Sequence, residues 1–256
     1  MASVPLTPSF RLDGRNALVT GGTKGIGFAA AAALAEAGAA VTIVGRDAEV
    51  MTAAVASLRS AGYDAEGVAL DITDTEAVGK LVSGARRPFD ILVNSAGTAR
   101  HAPFLETPMG DYQVVMALNV EAVMAVSQHV ARRLVALGSP GSIITISSQM
   151  AHVSGPNRSV YSASKSALEG LTRGMAIELG PHGIRANTIC PTFILTDLTA
   201  PGLADEAFRK RVLDKIHLRR LGRVEDIMGP VVFLASEASS LITGSAIMVD
   251  GGWTAE

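Results

Sequence analysis

The chain has 256 residues, 48% apolar and 18% charged, with a net charge of −2 at pH 7. That apolar share excludes a disordered chain, and the near-balance of charge leaves no basic surplus for nucleic acid and no acidic tail. A single cysteine, Cys190, cannot form an intrachain disulfide, so a reducing, cytoplasmic setting is expected.

Mean hydropathy is high, at +0.32. Still, no apolar run reaches the ~18 residues of a spanning helix, and residues 1–10 lack the basic and apolar regions of a signal peptide. No membrane partner is expected. The apolar excess is assigned to a sheet covered on both faces, or to a subunit interface.

After a tail over residues 1–11, strand-length apolar runs alternate with helical patterns. Residues 17–20 read as a strand, 25–37 as a helix, 41–44 as a strand and 48–59 as a helix. A strand at 67–70 precedes a helix over 74–83, and a strand at 90–93 precedes a long helix over 111–137. A strand at 142–146, a helix over 159–179, a strand at 185–189, helices over 206–215 and 225–235 and a strand at 246–249 complete the series. Seven strands with intervening helices are βαβ units, and right-handed crossovers then require a parallel sheet with helices on both faces. The expected fold class is α/β, a Rossmann-like doubly wound seven-stranded sheet in one domain over residues 12–256.

Thr20-Gly21-Gly22-Thr23-Lys24-Gly25-Ile26-Gly27 follows the first strand and opens the first helix. Glycines there let the backbone approach a pyrophosphate, and the helix N-terminus supplies free N–H groups and the positive end of its dipole. The spacing is G-x-x-x-G-x-G rather than G-x-G-x-x-G, and a turn that serves only packing has the same composition.

Tyr161 and Lys165 stand four residues apart at the start of a helix, on one face. A lysine cation near a phenol lowers its pKa from the usual ~10, so such a tyrosine can exchange a proton with a ketone or alcohol. Ser147 and Ser148 end the fifth strand, and Asn94-Ser95-Ala96-Gly97 ends the fourth. Both lie at the carboxyl edge, where open parallel sheets bind ligands.

The ordered set of Thr20 to Gly27, Asp71, Asn94 to Gly97, Asn119, Ser148, Tyr161, Lys165, Asn187, Pro191, Thr196 and Asp250-Gly251-Gly252 resembles the short-chain dehydrogenases/reductases of the single-domain type. The resemblance runs from about Leu12 to Trp253 and is nearest to the sugar/polyol ketoreductases and 3-oxoacyl reductases. It implies a nicotinamide-dependent interconversion of a ketone and a secondary alcohol. Tyr161 would give or take the proton, and Ser148, thirteen residues earlier, would bind the substrate oxygen. Lys165 would lower the tyrosine pKa and hold the nicotinamide ribose, and Asn119 would fix a water leading to Lys165. A buried helix asparagine satisfied by backbone is the plainer reading of Asn119. The implied cofactor contacts are Gly21, Thr23, Lys24, Gly25, Ile26, Gly27, Arg46, Asp71, Ile72, Asn94, Ala96, Gly97, Tyr161, Lys165, Pro191, Ile194 and Thr196. Asp71 competes with a helix-capping role.

Thr192 stands where the family usually has glycine, which puts the local backbone in question because threonine resists positive φ. Enoyl reductases of the superfamily separate Tyr and Lys by six residues; three intervene here, favouring carbonyl over C=C reduction. The family's acidic position at the end of the second strand falls on Gly45, followed by Arg46, with Lys24 nearby. Two cations and no carboxylate suit a 2′-phosphate, hence NADP(H) over NAD(H). Asp47 is the counter-evidence.

Residues 192–215 are the expected substrate lid, and Arg100, His101, Gln149, His152, Asn157 and Phe193 are expected beside the reacting centre. That polar set suits a sugar, polyol or keto acid. A 3-oxoacyl thioester is the alternative substrate, and a non-catalytic dinucleotide sensor the alternative class. The five histidines have no metal-site spacing, so no metal is expected. The apolar helices over 111–137 and 159–179, with Gly170 and Gly174 on one face, suggest a homotetramer.

Overall fold

The computed structural model describes residues 4–256. Its strands are β1 (Asn16–Thr20), β2 (Ala40–Gly45), β3 (Ala65–Ala69), β4 (Ile91–Asn94), β5 (Gly141–Ile146), β6 (Ile184–Pro191) and β7 (Ala246–Val249). They form one sheet in the order β3-β2-β1-β4-β5-β6-β7, and every pair is parallel. The connecting helices are α1 (Gly25–Glu36), α2 (Ala48–Ser60), α3 (Thr75–Gly84), α4 (Met109–Met116), α5 (Ala122–Ala136), α6 (Ser159–Leu179), α7 (Ala200–Leu203), α8 (Glu206–Lys215) and α9 (Glu225–Ala235). The expected doubly wound architecture is the one observed.

Strand periodicity splits the core into two layers. Ala17, Val19, Ile144 and Ile146 face one side, packed with Leu34 of α1, Leu58 of α2 and Leu234 of α9. Their neighbours Leu18, Leu92 and Ile143 face the other, packed with Val78 of α3 and with Val126, Val130 and Leu134 of α5. The strand order reverses between β1 and β4. A crevice opens there at the carboxyl edge, and all the chemistry-bearing segments converge on it.

Several boundaries shift by one or two residues, and two differences have a physical cause. β3 begins two residues earlier than the apolar run over 67–70, because it is an edge strand in which exposed Glu66 separates Ala65 from that run. The long fourth helix is interrupted by a π turn, Ala117–Glu121, centred on buried Asn119. Such turns insert a residue into the i→i+4 ladder, and their position is set by tertiary contacts.

A further correction concerns hydropathy. The helix Met109–Ala136 is 28 residues long and reaches a mean hydropathy of 1.4 over an 18-residue window, enough by length and composition to cross a membrane. It is not an uninterrupted apolar run, because Asn119, Glu121, Gln128 and His129 break it. In the fold this helix packs on α3, β4 and β5 and carries a site residue.

Candidate active site

Helices α2, α3 and α8 begin with aspartate caps, Asp47, Asp74 and Asp205. Helix α1 begins on Lys24, with no side-chain cap and no acid in its first turn. Its first N–H groups are therefore left for an outside acceptor. The glycines before it have separate jobs. Gly21, at φ +64, sits where a Cβ would lie 2.8 Å from the Ala96 backbone. Gly25, at φ +56, faces Thr196, and a Cβ on Gly27 would collide with the Gly21 carbonyl. An uncapped helix behind a turn with no room for side chains fits a dinucleotide pyrophosphate.

At the end of β2, Arg46 and Lys24 are exposed. Asp47 Oδ1 accepts from the Glu49 and Val50 amides at 3.0 and 3.1 Å, so this carboxylate is committed to capping α2. Asp71 does not cap α3; it accepts from the Thr73 amide and hydroxyl at 3.0 and 2.8 Å and lies 3.9 Å from Arg46. Those bonds hold its carboxyl below the ordinary range. Asn94 is buried, and its Nδ2 donates to Ser127 at 3.0 Å while Oδ1 has no partner. Ala96 and Gly97 line the turn after β4, against Gly21 and Asn119 respectively. Ile72 and Ile194 bury their side chains in the core, so only their backbones can meet a cofactor. Thr192 raises no strain: the only non-glycine residues at positive φ among those described are Asn157 and Arg219. Its amide donates to Val249 at 3.2 Å, extending the ladder past Pro191.

The catalytic candidates come from the end of β5 (Ser148), the start of α6 (Tyr161 and Lys165) and the π turn (Asn119). Ser148 Oγ donates to Gln149 Oε1 at 2.9 Å and accepts from the Met150 amide at 3.1 Å. Buried Gln149 thus holds the serine hydroxyl in place rather than facing solvent. Lys165 is buried, and its Nζ donates to the Ile146 carbonyl at 2.8 Å and lies 5.8 Å from the Tyr161 ring centroid. Asn119 accepts from the Thr98 amide at 2.8 Å and donates to the Thr98 carbonyl at 2.9 Å and to Ser164 at 3.0 Å. Its side chain pins the loop after β4 onto α6. A Cβ on Gly97 would lie 3.3 Å from Asn119 Oδ1 and 3.9 Å from Lys165 Nζ, so these groups adjoin one another.

The electrostatics correct one expectation. Burial pushes the Tyr161 phenol above its ordinary value, and the forces opposing it are the Ser148 hydrogen bond and the Arg158 charge. Lys165, with its Nζ 5.8 Å from the ring centroid, is itself desolvated to about 8. Because the folded value is the lower one, the unfolded chain holds the extra proton between about pH 8 and 10.5, and stability rises with pH across that window. Wild type should gain on Lys165→Met by roughly 1.4 kcal/mol per pH unit there. Urea midpoints of both proteins below and above the window check this, and parallel curves would refute it.

On the substrate side, His101 stacks edge-on against Tyr161 with centroids 6.0 Å apart. Phe193 contacts Phe208 of α8 at 5.6 Å and Trp253 at 5.8 Å. Arg100 and Asn157 are exposed. His152, expected beside the substrate, is partly exposed and joins a cluster with Glu169 and Cys190. Its Nε2 lies 3.6 Å from Cys190 Sγ and 4.0 Å from Glu169, which accepts from Cys190 and from Thr188 at 3.4 and 3.0 Å. These ligand-type atoms fall within 4.8 Å of one another, a grouping that histidine spacing alone does not disclose. Burial pushes the Cys190 thiol up to about 12. Two residues escaped the sequence reading: Arg158, three residues before Tyr161, and Trp253. Arg158 follows no motif; its one signal is a cation at the start of a helix.

A sequence model of the family described as Enoyl-(Acyl carrier protein) reductase matches residues 21–254. L-xylulose reductase of Bos taurus is 43% identical over 245 residues, covering 96% of this chain and 98% of that protein. Gluconate 5-dehydrogenase of Gluconobacter oxydans is 40% identical over 248 residues, covering 96% of each. A crystal structure of a gluconate 5-dehydrogenase from Burkholderia cenocepacia, in complex with NADP and tartrate, superimposes with a TM-score of 0.93 at 36% identity, covering 96% of this chain and 98% of that one. Fold, site geometry and full-length kinship agree: the chain belongs to the short-chain dehydrogenase/reductase family, oxidoreductases that interconvert carbonyls and alcohols with a nicotinamide cofactor.

Proposed function

We propose that this chain is an NADP(H)-dependent ketone reductase and alcohol dehydrogenase whose substrate is a hydroxylated ketone: a sugar, a polyol-derived ketone or a keto acid. The observation that carries the reading is the meeting of Ser148, Tyr161, Lys165 and Asn119 at the mouth of the crevice, beside an uncapped α1. The curated relatives, a xylulose reductase and a gluconate dehydrogenase among them, act on such compounds by name. Exposed Arg46 and Lys24, with Asp47 spent on a cap, support the phosphorylated cofactor.

A nicotinamide, when bound, supplies the hydride to the carbonyl carbon or takes it back. Gly21 to Gly27 and the α1 amides would hold its pyrophosphate, Arg46 and Lys24 its 2′-phosphate, Asp71 and the Ile72 backbone its adenine end, and Lys165 its ribose. The Ile194 backbone and Thr196 would bound its nicotinamide end. Ser148 then binds the substrate oxygen and Tyr161 delivers the proton to it. An ammonium already partly desolvated, as Lys165 is, would donate to a ribose hydroxyl with little further cost. Panels of ketones and hydroxyacids assayed with NADPH and NADP test the reading.

Residues 192–215 serve as the lid. Phe193, Leu203, Phe208 and Val212 of this segment share a small core with Ile216, Leu221 and Trp253 beyond it.

The assembly is a homotetramer working in the cytoplasm. Met124, Val135, Leu137 and Ile177 are exposed on α5, just beyond it and on α6, and Gly170 and Gly174 have open space where a Cβ would stand, room for a partner helix to approach. Light scattering at micromolar protein should return four chains per particle; a monomer mass would overturn the assignment.

A further inference from the structure

Arg158 is out of place as a structural residue. It occupies the position before α6, with φ −122 and ψ 11, and offers no side-chain cap. A cation there opposes the helix dipole, where Ser, Asp or Asn would stabilise. The residue before it, Asn157, adopts φ +62, in the left-handed region that asparagine tolerates better than most. The local backbone thus departs from its easiest course immediately before Arg158.

The guanidinium sits among the groups of the reacting centre. Its Nη1 lies 2.8 Å from His101 Nε2, and its Cζ lies 5.3 Å from the centroid of Phe193. Its charge is felt by the Tyr161 phenol. Among the described residues it has no carboxylate within ion-pair distance, and His101 is its only hydrogen-bond partner. Desolvation and the Arg158 charge hold the His101 imidazole below its ordinary value. A neutral ring accepts the Arg158 hydrogen bond and leaves the cation uncompensated. A guanidinium carries five N–H donors in a planar fork matched to a carboxylate. Here most of that fork is unused, half-buried, and braced by one imidazole and one phenyl ring.

We propose that Arg158, braced by His101 and Phe193, is a carboxylate subsite that selects sugar-derived keto acids over neutral ketoses of the same length. The inference rests on the hydroxyketone reading and narrows it. A substrate of a few carbons presents its ketone to Ser148 and Tyr161 while its carboxylate meets the fork one helical turn away.

The test compares 5-keto-D-gluconate with L-sorbose, which carries a hydroxymethyl group in place of the carboxylate and is otherwise the same ketone. Both are reduced with saturating NADPH by wild type, Arg158→Gln and Arg158→Lys. Wild type should favour the keto acid in kcat/KM. The ratio of the two efficiencies should fall roughly 10- to 100-fold in Arg158→Gln, mainly through KM for the acid, as expected for a lost charge-assisted contact. Arg158→Lys should restore part of the ratio, since it keeps the charge and loses the fork. Added salt should weaken the acid in wild type and leave sorbose unmoved. Dissociation constants for NADPH confirm that each variant is folded. A ratio unchanged within twofold in both variants, or a wild type that treats the two compounds alike, overturns the subsite while the hydroxyketone reading stands. If wild type reduces neither compound, both fail.

Discussion

Replacing Tyr161 by phenylalanine is expected to lower turnover by roughly 10²–10⁴-fold, the range for loss of a positioned general acid. The substitution removes one oxygen and leaves the ring that Lys165 and His101 pack against. Cofactor affinity should therefore change little. In the reductive direction the ketone oxygen would still be held by Ser148 but would have no proton donor. In the oxidative direction the alcohol would have no base. Both rates fall together, because the same oxygen serves both. Single-turnover absorbance measurements with bound cofactor separate this from slow release of product. A variant within a few-fold of wild type would remove Tyr161 from the chemistry.

For Arg46→Ala, the expected result is a loss of NADPH affinity of roughly 10- to 100-fold, with NADH affinity unchanged. A guanidinium can bind the 2′-phosphate at two points, and NADH offers nothing there. The geometry sharpens the test. Arg46 has only a 3.9 Å approach to Asp71 to give up, at an exposed site, so structural loss on truncation is small. Asp47 cannot take over, because its carboxylate caps α2. Installing an acid at the neighbouring Gly45 is a poorer experiment: a Cβ there would lie 2.7 Å from Thr23 Cγ2, so the substitution would disturb the glycine turn as well as the charge. Equal loss of both cofactors in Arg46→Ala, measured by fluorescence titration, would contradict the assignment.

What could be read in the residues, and what could not, divides along physical lines. The sheet was legible because each strand is a short apolar run and each crossover a long one, and handedness leaves a single way to connect them. The glycine turn was legible because positive φ at Gly21 and Gly25 demands glycine. Tyr161 and Lys165 were legible because helical spacing alone puts them on one face. The π turn at Asn119 was not, since it depends on how α4 and the turn itself meet α6. Ile72 and Ile194 were assigned to the cofactor by resemblance, and their side chains turn inward because each falls on a core-facing position. Helical spacing tells that a lysine shares the face of Tyr161, but it carries no measure of the burial that raises the phenol. His152, Glu169 and Cys190 come from three separate segments and meet only after folding.

The most direct measurement is the fall in absorbance of NADPH when wild-type protein is mixed with a hydroxylated ketone such as 5-keto-D-gluconate or L-sorbose, run beside NADH and beside Tyr161→Phe. The account predicts consumption of NADPH that depends on the ketone, is slower with NADH at equal concentration, and is nearly abolished in Tyr161→Phe. Folded protein that binds NADPH yet consumes none with any ketone of this class, or that is equally active without the Tyr161 hydroxyl, would contradict it.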